Sequence, residues 1–287
     1  MEIVSDLGLM RQLAQDWRSQ GDRIALVPTM GYFHEGHLSL MRYGRETADK
    51  LVVSLFVNPA QFGPTEDLAR YPRDLERDAA MARQVGVDVL FTPTAVQMYP
   101  PGYQTYVTVE GLSRGLCGAS RPGHFRGVAT VVLKLLNQVR PHLAIFGEKD
   151  YQQLQVIRRL ASDLDVDVEI VGRPIVREAD GLAMSSRNTY LSEEERVAAL
   201  CLFRAIQAAR ELVASGAKSR ESILEAVRGL ITATPHTNID YLALVNPETL
   251  EEVESIQEEA RLALAVRVGK TRLLDNTLLA ESLLCCV

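Results

Sequence analysis

Cysteine is scarce in this chain and badly placed for cross-linking. Of four cysteines in 287 residues, Cys117 and Cys201 stand alone, while Cys285 and Cys286 are adjacent at the end. That spacing matches neither a disulfide framework nor a zinc site and reads as free thiols in a reducing compartment. Long apolar runs are missing too: none approaches the roughly 20 residues of a membrane span. The N-terminus MEIVSDLGLM is acidic and lacks the apolar length of a secretory signal. Positive charge is not in excess either. A net charge of −6 argues against a general nucleic-acid surface, so an anionic ligand must meet a local cluster of positive groups. Repeats and low-complexity tracts are absent. The expected class is a soluble, cytoplasmic globular protein with neither nucleic acid nor membrane as partner.

Against those absences, a hydrophobic content of 47% is ample for a large core. Strand-like runs begin at Ile24 (IALVPT), Leu51 (LVVSLFV), Val87 (VDVLFT) and His142 (HLAIFG), and a more alternating one, suited to a sheet edge, at Val166 (VDVEIVG). Helical patterns lie between them, over Asp74 to Gln84, Val128 to Arg140 and Tyr151 to Leu164. The alternation predicts parallel βαβ units in an α/β, doubly wound sheet of Rossmann-like type. Tyr106 to Glu110 reads as an extra strand in a longer insertion. After about Ile175 the character changes. Ser192 and Glu195 have capping-box spacing and open a long helix running to Gly216, and a second helix starts near Ser219. NIDYLALVN and ARLALAVRVG read as strands. The expected division is 1–175, a Rossmann-like domain, and 176–287, a smaller C-terminal α+β domain.

The segment VPTMGYFHEGHLSLM carries the most chemistry. A strand, a glycine turn and a helix aim backbone N–H groups and a helix dipole at an anion, often a phosphate. His34 and His37, three positions apart, face the same way on the first helical turn. They are placed to donate to a phosphate whose charge grows during reaction. Metal binding competes with this reading, but Glu35 intervenes and no compact Cys/His cluster supplies further ligands. A plain helix cap competes as well, although Gly36 inside a helix start costs stability and wants a reason.

Four further segments stand out. FVNPAQFG places Asn58 and Gln61 just past a buried strand, where open α/β sheets bind ligands. Both side chains donate and accept, as gripping a hydroxy acid requires; the plain alternative is an Asn-Pro turn with a solvated Gln61. FGEKDYQQLQ sets Gly147, Glu148, Lys149 and Asp150 at a strand's carboxyl end, with Gln153 on the following turn. There Lys149 suits a phosphate and Asp150 a ribose hydroxyl, unless the acids merely favour a helix start. Ser185, Ser186 and Arg187 form a compact oxyanion or polyphosphate clamp, or a serine-rich linker. Arg121, His124 and Arg126 read either as a mobile positive rim or as ordinary loop residues.

Taken in order, PTMGYFHEGHLSL, SLFVNPAQFGPTEDLARYPR, RPGHFRGVATVVLKLLNQVRP, FGEKDYQQL and DGLAMSSRNTYLS resemble the pantothenate synthetase (pantoate–β-alanine ligase) family. That family shares the His-x-Gly-His turn with the wider nucleotidyltransferase superfamily. The resemblance runs from Ile24 to the TRLLDN segment at Thr271 to Asn276. It implies that ATP and pantoate form an enzyme-bound pantoyl adenylate with release of pyrophosphate, and that β-alanine then gives pantothenate and AMP, a step toward coenzyme A. It implies an ATP-binding turn of Met30, Gly31, Tyr32, Phe33, His34, Glu35, Gly36 and His37, with His37 as a proton donor. It likewise implies pantoate and β-alanine contacts from Gln61 and Gln153, with Asn58 as a polar wall. Gly147, Glu148, Lys149 and Asp150 hold ribose and phosphates, Val176 meets adenine through its backbone, and Met184, Ser185, Ser186 and Arg187 close over the triphosphate with Lys149. The smaller domain is then a lid. Magnesium arrives on the ATP phosphates, with Asp78 the one acidic residue considered for it and no metal ligand assigned. No tightly bound organic cofactor is expected, and a homodimer is implied. Tyr32 and Phe33 depart from the smaller or aliphatic residues expected there.

Two other functions compete. A nucleotidyltransferase that stops after joining AMP or CMP to a phosphorylated substrate would want more Arg or Lys for a second phosphate. A silent nucleotide sensor would not need both histidines, Lys149 and the serine clamp. No Ser-His-Asp or Cys-His arrangement is present, and adenylation needs no protein nucleophile.

Overall fold

Six apolar runs pair side by side in the computed structural model, which describes residues 1–280. Cys285 and Cys286, expected as free thiols, lie outside the described residues. The elements of the first part are β1 (Glu2–Val4), α1 (Leu7–Gln20), β2 (Ile24–Thr29), α2 (Glu35–Thr47), β3 (Lys50–Leu55), α3 (Leu75–Val85) and β4 (Val89–Phe91). After two single turns, α4 (Ala95–Met98) and α5 (Cys117–Ser120), come α6 (His124–Val139), β5 (Leu143–Gly147), α7 (Tyr151–Asp163) and β6 (Glu169–Arg173). All six strands are parallel, in the order β1-β4-β3-β2-β5-β6. The alternating strand β6 does sit at an edge.

Side chains alternate across the central strands, and both sets are buried. Ala25, Val27, Leu51, Val53, Leu143 and Ile145 face one core, with Phe33, Leu40 and Met41 of the α2 region and Ala79 and Ala82 of α3. Ile24, Leu26, Val52, Ala144 and Phe146 are also buried, and α1 and α6 pack on β2. The strand order reverses direction between β2 and β5, which pair only at Ala25–Leu143 and Leu26–Ala144. Both strands run on beyond that point, and Pro28 brings no N–H for a further rung. The carboxyl ends on either side of this gap form the crevice where sheets of this type bind ligands.

The described chain divides into two compact units. One comprises Met1–Gly111, Arg121–Glu148 and Gln153–Pro174; the other comprises Leu112–Ser120, Lys149–Gln152 and the chain from Ile175 onward. The second unit contains α8 (Glu193–Ala199), α9 (Cys201–Ala214), α10 (Arg220–Thr232) and an antiparallel sheet β7-β8-β9 (Thr237–Val245, Glu259–Val268, Thr271–Ala280). Its core joins Leu202, Ala205, Ile206 and Val213 of α9 to Val227 of α10 and to Leu262 and Leu264 of β8. Ser192 and Glu195 make the reciprocal capping box expected of them. The expected single helix from Ser192 is instead two, parted at Leu200.

The expected strand at Tyr106 to Glu110 does not form. Val107 N–H bonds the Thr130 hydroxyl at 2.9 Å instead, and Tyr106 lies under the Arg126 guanidinium. Two strands had no clear sequence signal: β1, three residues long, and β9, whose Asp275, Asn276 and Thr277 interrupt the apolar pattern yet are buried. Asp275 holds Arg177 through two bonds of 2.7 and 2.9 Å and is only 2% exposed. Removing one partner of such a pair leaves the other charge short of compensation. Asp275→Ala should therefore lower unfolding free energy by about 3 kcal/mol in urea titration. A change below about 1 kcal/mol would show that Arg177 is held by other means.

Candidate active site

The first unit gathers His34, His37, Asn58, Gln61 and Gln153 after three parallel strands of one sheet. β2 ends in a turn tied to β3 by the Thr29 hydroxyl, which donates to Ser54 O at 2.7 Å and accepts from Gly31 N–H at 3.2 Å. Gly31 follows at φ +85° and Tyr32 at φ +53°, a left-handed pair that reverses the chain. His34 is the N-cap of α2, and its backbone N–H bonds His37 Nδ1 at 3.4 Å. The two imidazoles lie 4.1 Å apart between ring centres, so the spacing does bring both rings to one place at the start of α2.

The turn is held from beneath by α3. Asp78, 1% exposed, accepts the N–H groups of Tyr32 at 2.6 Å and Phe33 at 2.7 Å. Arg77 donates to Phe33 O at 2.8 Å and lies over the Tyr32 ring. Burial pushes the Asp78 carboxyl above its ordinary value, against the pull of the two N–H groups and Arg77. The Tyr32 and Phe33 N–H groups, read from sequence as part of an anion cradle, already serve an internal carboxylate. Phe33 itself has its side chain in the core at 0% exposure. Both Asp78 oxygens are likewise engaged by the turn. Glu35, between the histidines, points along α2 to Arg42, whose hydrogen bond lowers its pKa.

Beyond β3, Pro59–Gln61 form a single 3-10 turn capped by Asn58, whose Oδ1 accepts Ala60 N–H. Gln61 is 9% exposed and points its Nε2 at Met30 Sδ, 3.2 Å away, so the β3 loop meets the β2 turn directly. Helix α6 closes on this turn. A Cβ on Gly127 would fall 2.2 Å from Ala60 O and 2.6 Å from Gln61 N, so only glycine permits the approach. Arg121 and His124 are not a mobile rim. Arg121 makes two bonds to Glu66 (2.6 and 2.8 Å) and one to His124 Nε2 (3.0 Å), and His124 Nδ1 meets Gln61 O at 2.9 Å. Gln153 is half-buried on the first turn of α7.

Gly147 ends β5 and Glu148 follows it within the first unit, whereas Lys149, Asp150, Val176 and Met184 to Arg187 belong to the second. Lys149 Nζ lies 3.9 Å from Asp150, and Lys149 O accepts from Asn276 of β9 at 3.0 Å. Arg177 pairs with Ala183 in a short bridge, within which Val176 O accepts Met184 N–H. Ser185 caps the 3-10 turn Ser186–Tyr190 by accepting Arg187 N–H, and Ser186 is buried at 6%. Asn188 braces this turn to Glu178, which also takes Arg196. Through Asp275 and Asn276, adjacent on β9, one strand fixes both the Arg177 hairpin and the Lys149 backbone. Sequence reasoning had given neither of these residues, nor Arg177, a role. Among the described residues, no group of three or more His, Cys, Asp or Glu side chains is placed to hold a metal ion, and no helix is long and apolar enough to cross a membrane. Cys117 and Cys201 are buried and unpaired to sulfur.

Comparison with known proteins gives a consistent result. The family model described as pantoate-beta-alanine ligase matches residues 2–278. A pantothenate synthetase of Syntrophus aciditrophicus (strain SB) is 55% identical over 283 residues, covering 99% of each chain. That of Geobacter sulfurreducens is 57% identical over 281 residues, covering 98% of this chain and 99% of the other. The crystal structure of pantothenate synthetase from Thermus thermophilus superposes with a TM-score of 0.92 at 48% identity, covering 96% of this chain and 99% of that one. A pantoate-beta-alanine ligase from Francisella tularensis, complexed with beta-gamma ATP and beta-alanine, gives 0.81 at 31% identity, with 97% of each chain covered.

The Glu66 carboxyl shows how the Gln61 loop responds to acid. Burial raises its pKa, but hydrogen bonds and charge from Arg121, helped by Gly63 N–H and His124, outweigh burial and bring it from 4.5 to about 2. A carboxyl depressed on folding contributes stability that is present above its unfolded pKa and is lost as pH falls through its folded one. The Glu66 contribution should therefore fade from about pH 5 toward about pH 2. Glu66→Gln should flatten that part of the stability curve in acid unfolding followed by circular dichroism, whereas an unchanged curve would deny the pair any net contribution.

Proposed function

The chain belongs to the pantoate-beta-alanine ligase family and is an enzyme of pantothenate synthesis, and from that premise we propose the route by which its residues act. A pantoate carboxylate oxygen attacks the α-phosphorus of ATP, and the bond to pyrophosphate breaks. The neutral amine of β-alanine then attacks the carbonyl carbon of the resulting pantoyl adenylate, AMP leaves with its bonding pair, and the nitrogen gives up one proton to solvent. A free carboxylate is a poor acyl donor, and adenylation converts one of its oxygens into a good leaving group. Positioning and charge stabilisation then do the catalysis.

The observation that carries this reading is the pair His34 and His37 at the start of α2, beside the β2–β5 crevice of the sheet. Because His37 Nδ1 accepts the His34 N–H, a neutral His37 keeps its proton on Nε2. That N–H is the donor to the phosphate as charge moves toward the leaving pyrophosphate. Gln61 and Gln153 bind the hydroxy acid. Lys149, Ser185, Ser186 and Arg187 bind phosphate oxygens, Asp150 binds the ribose, and the Val176 backbone meets adenine. Magnesium is carried by the ATP phosphates and water, as is usual for that ion. The unit that includes 176–287 acts as the lid. Buried free thiols at Cys117 and Cys201 suit a cytoplasmic setting. The homodimer rests on the family resemblance alone, and sedimentation equilibrium reads it directly.

Purified protein given ATP, magnesium, pantoate and β-alanine should release AMP and pyrophosphate in equal amounts. Omitting pantoate should stop both, and folded protein that forms no AMP would sink the ligase reading. His37→Ala should reduce kcat by about 100- to 1,000-fold, the scale of losing one key donor to developing charge. Turnover near that of the unaltered enzyme would remove His37 from the mechanism.

A further inference from the structure

Asn58 was expected to stand as a polar wall of the hydroxy-acid site, but it is 1% exposed and fully engaged. Its Oδ1 accepts Ala60 N–H at 3.2 Å and the Tyr99 hydroxyl at 2.8 Å. Its Nδ2 donates to Gly127 O at 3.1 Å and to Gln61 Oε1 at 3.0 Å. A carboxamide has two donor hydrogens and two acceptor lone pairs on its oxygen, so every position is taken. Two of the partners are backbone groups that can play only one part each. An N–H cannot accept and a C=O cannot donate, so the Asn58 amide cannot turn over.

The fixed Asn58 amide in turn orients Gln61. Facing an N–H donor, Gln61 must present its oxygen, and its Nε2 is left to the weak acceptor Met30 Sδ, 3.2 Å away. We propose that Tyr99 and Asn58 are positioning residues forming a relay that locks the Gln61 amide with its NH2 toward the ligand, so that this position selects a hydrogen-bond acceptor and rejects a donor. The proposal rests on Gln61 contacting the hydroxy acid. Its chemical consequence is that the group met there is a carboxylate or hydroxyl oxygen, not the ammonium of the second substrate.

The surroundings suit a permanent relay. Tyr99 packs edge-on to Tyr103, with ring centres 5.1 Å apart, and beside Phe56. Burial, with smaller contributions from Tyr103 and Tyr106, pushes its hydroxyl well above the ordinary tyrosine value, so the donor proton is retained at any working pH. Gly127 supplies its carbonyl only because no side chain keeps α6 away from Ala60. Nothing in the relay needs to touch substrate.

The test pairs two substitutions. Tyr99→Phe keeps the ring and the backbone-fixed sense of the Asn58 amide but deletes one of the two donors that hold its oxygen in place. Its grip on Gln61 loosens, so KM for pantoate should rise by about three- to tenfold, the worth of one hydrogen bond, with KM for ATP within twofold of the unaltered enzyme. Gln61→Glu replaces the outward donor with an acceptor, and calorimetric affinity for pantoate should fall below that of Gln61→Ala. Equal rises in both KM values, no rise in either, or a Gln61→Glu protein that binds pantoate as well as Gln61→Ala does would overturn the relay. Failure of the unaltered enzyme to turn over pantoate would instead overturn the functional reading beneath it, so the two failures are distinguishable. Circular dichroism melts of each variant separate loss of fold from loss of orientation.

Discussion

The carboxylate of Asp78 is the constraint on which the carboxyl end of the sheet depends. It sits under the turn between β2 and α2 and takes two consecutive backbone N–H groups, those of Tyr32 and Phe33. Charge-assisted bonds of this kind are worth roughly twice neutral ones, and in a buried position an unsatisfied carboxylate would be costly. The turn therefore has one arrangement that satisfies both partners, and that arrangement sets where α2 begins and where its first-turn histidines stand. Arg77 grips the same turn from the carbonyl side. The second unit uses the same device with different residues: Asp275 and Asn276 of β9 fix the Arg177 hairpin and the Lys149 backbone. In each unit, buried polar side chains with no ligand of their own hold the loops proposed to bind one.

The chemistry asked of this chain is suited to such a construction. The route proposed above uses no protein nucleophile, so its rate would come from placing two small molecules and ATP correctly and from stabilising charge on phosphate. Donors that are already oriented need not reorganise as that charge develops. The His37 ring is one such case: its Nδ1 accepts a backbone N–H, which leaves Nε2–H as the oriented donor in the proposed route.

Much of the architecture was legible because strands buried on both faces read as continuous apolar runs. β2, β3, β4 and β5 announced themselves this way, β6 by the alternation of an edge strand, and Ser192 with Glu195 marked a helix start by chemistry alone. The misses have physical causes. β9 hides because Asp275, Asn276 and Thr277 lie in its middle, and they are tolerated there only because Arg177, Lys149 O and Arg210 satisfy them. Tyr106 to Glu110 has β-forming residues but no strand to pair with. Asn58 and Gln61 stood out as polar residues after a strand, but their division into positioning and ligand-facing parts depends on Gly127 and Tyr99, which are far away in sequence. The engagement of the Tyr32 and Phe33 N–H groups by a residue 45 or 46 positions later is invisible to any local pattern.

Phe33 adds a consequence of its own. The residue immediately before the first histidine is wholly buried among Val27, Met41, Leu51 and Ile145, so the turn has no hinge at that point. Loops around ligand sites usually come from the least stable parts of a protein and open on their own. This one is pinned to the core of the β-sheet, so the Tyr32 and Phe33 amides should exchange with solvent only as slowly as the core itself opens. The histidines thereby share the lifetime of the fold, and whatever mobility catalysis requires must come from other segments of the chain.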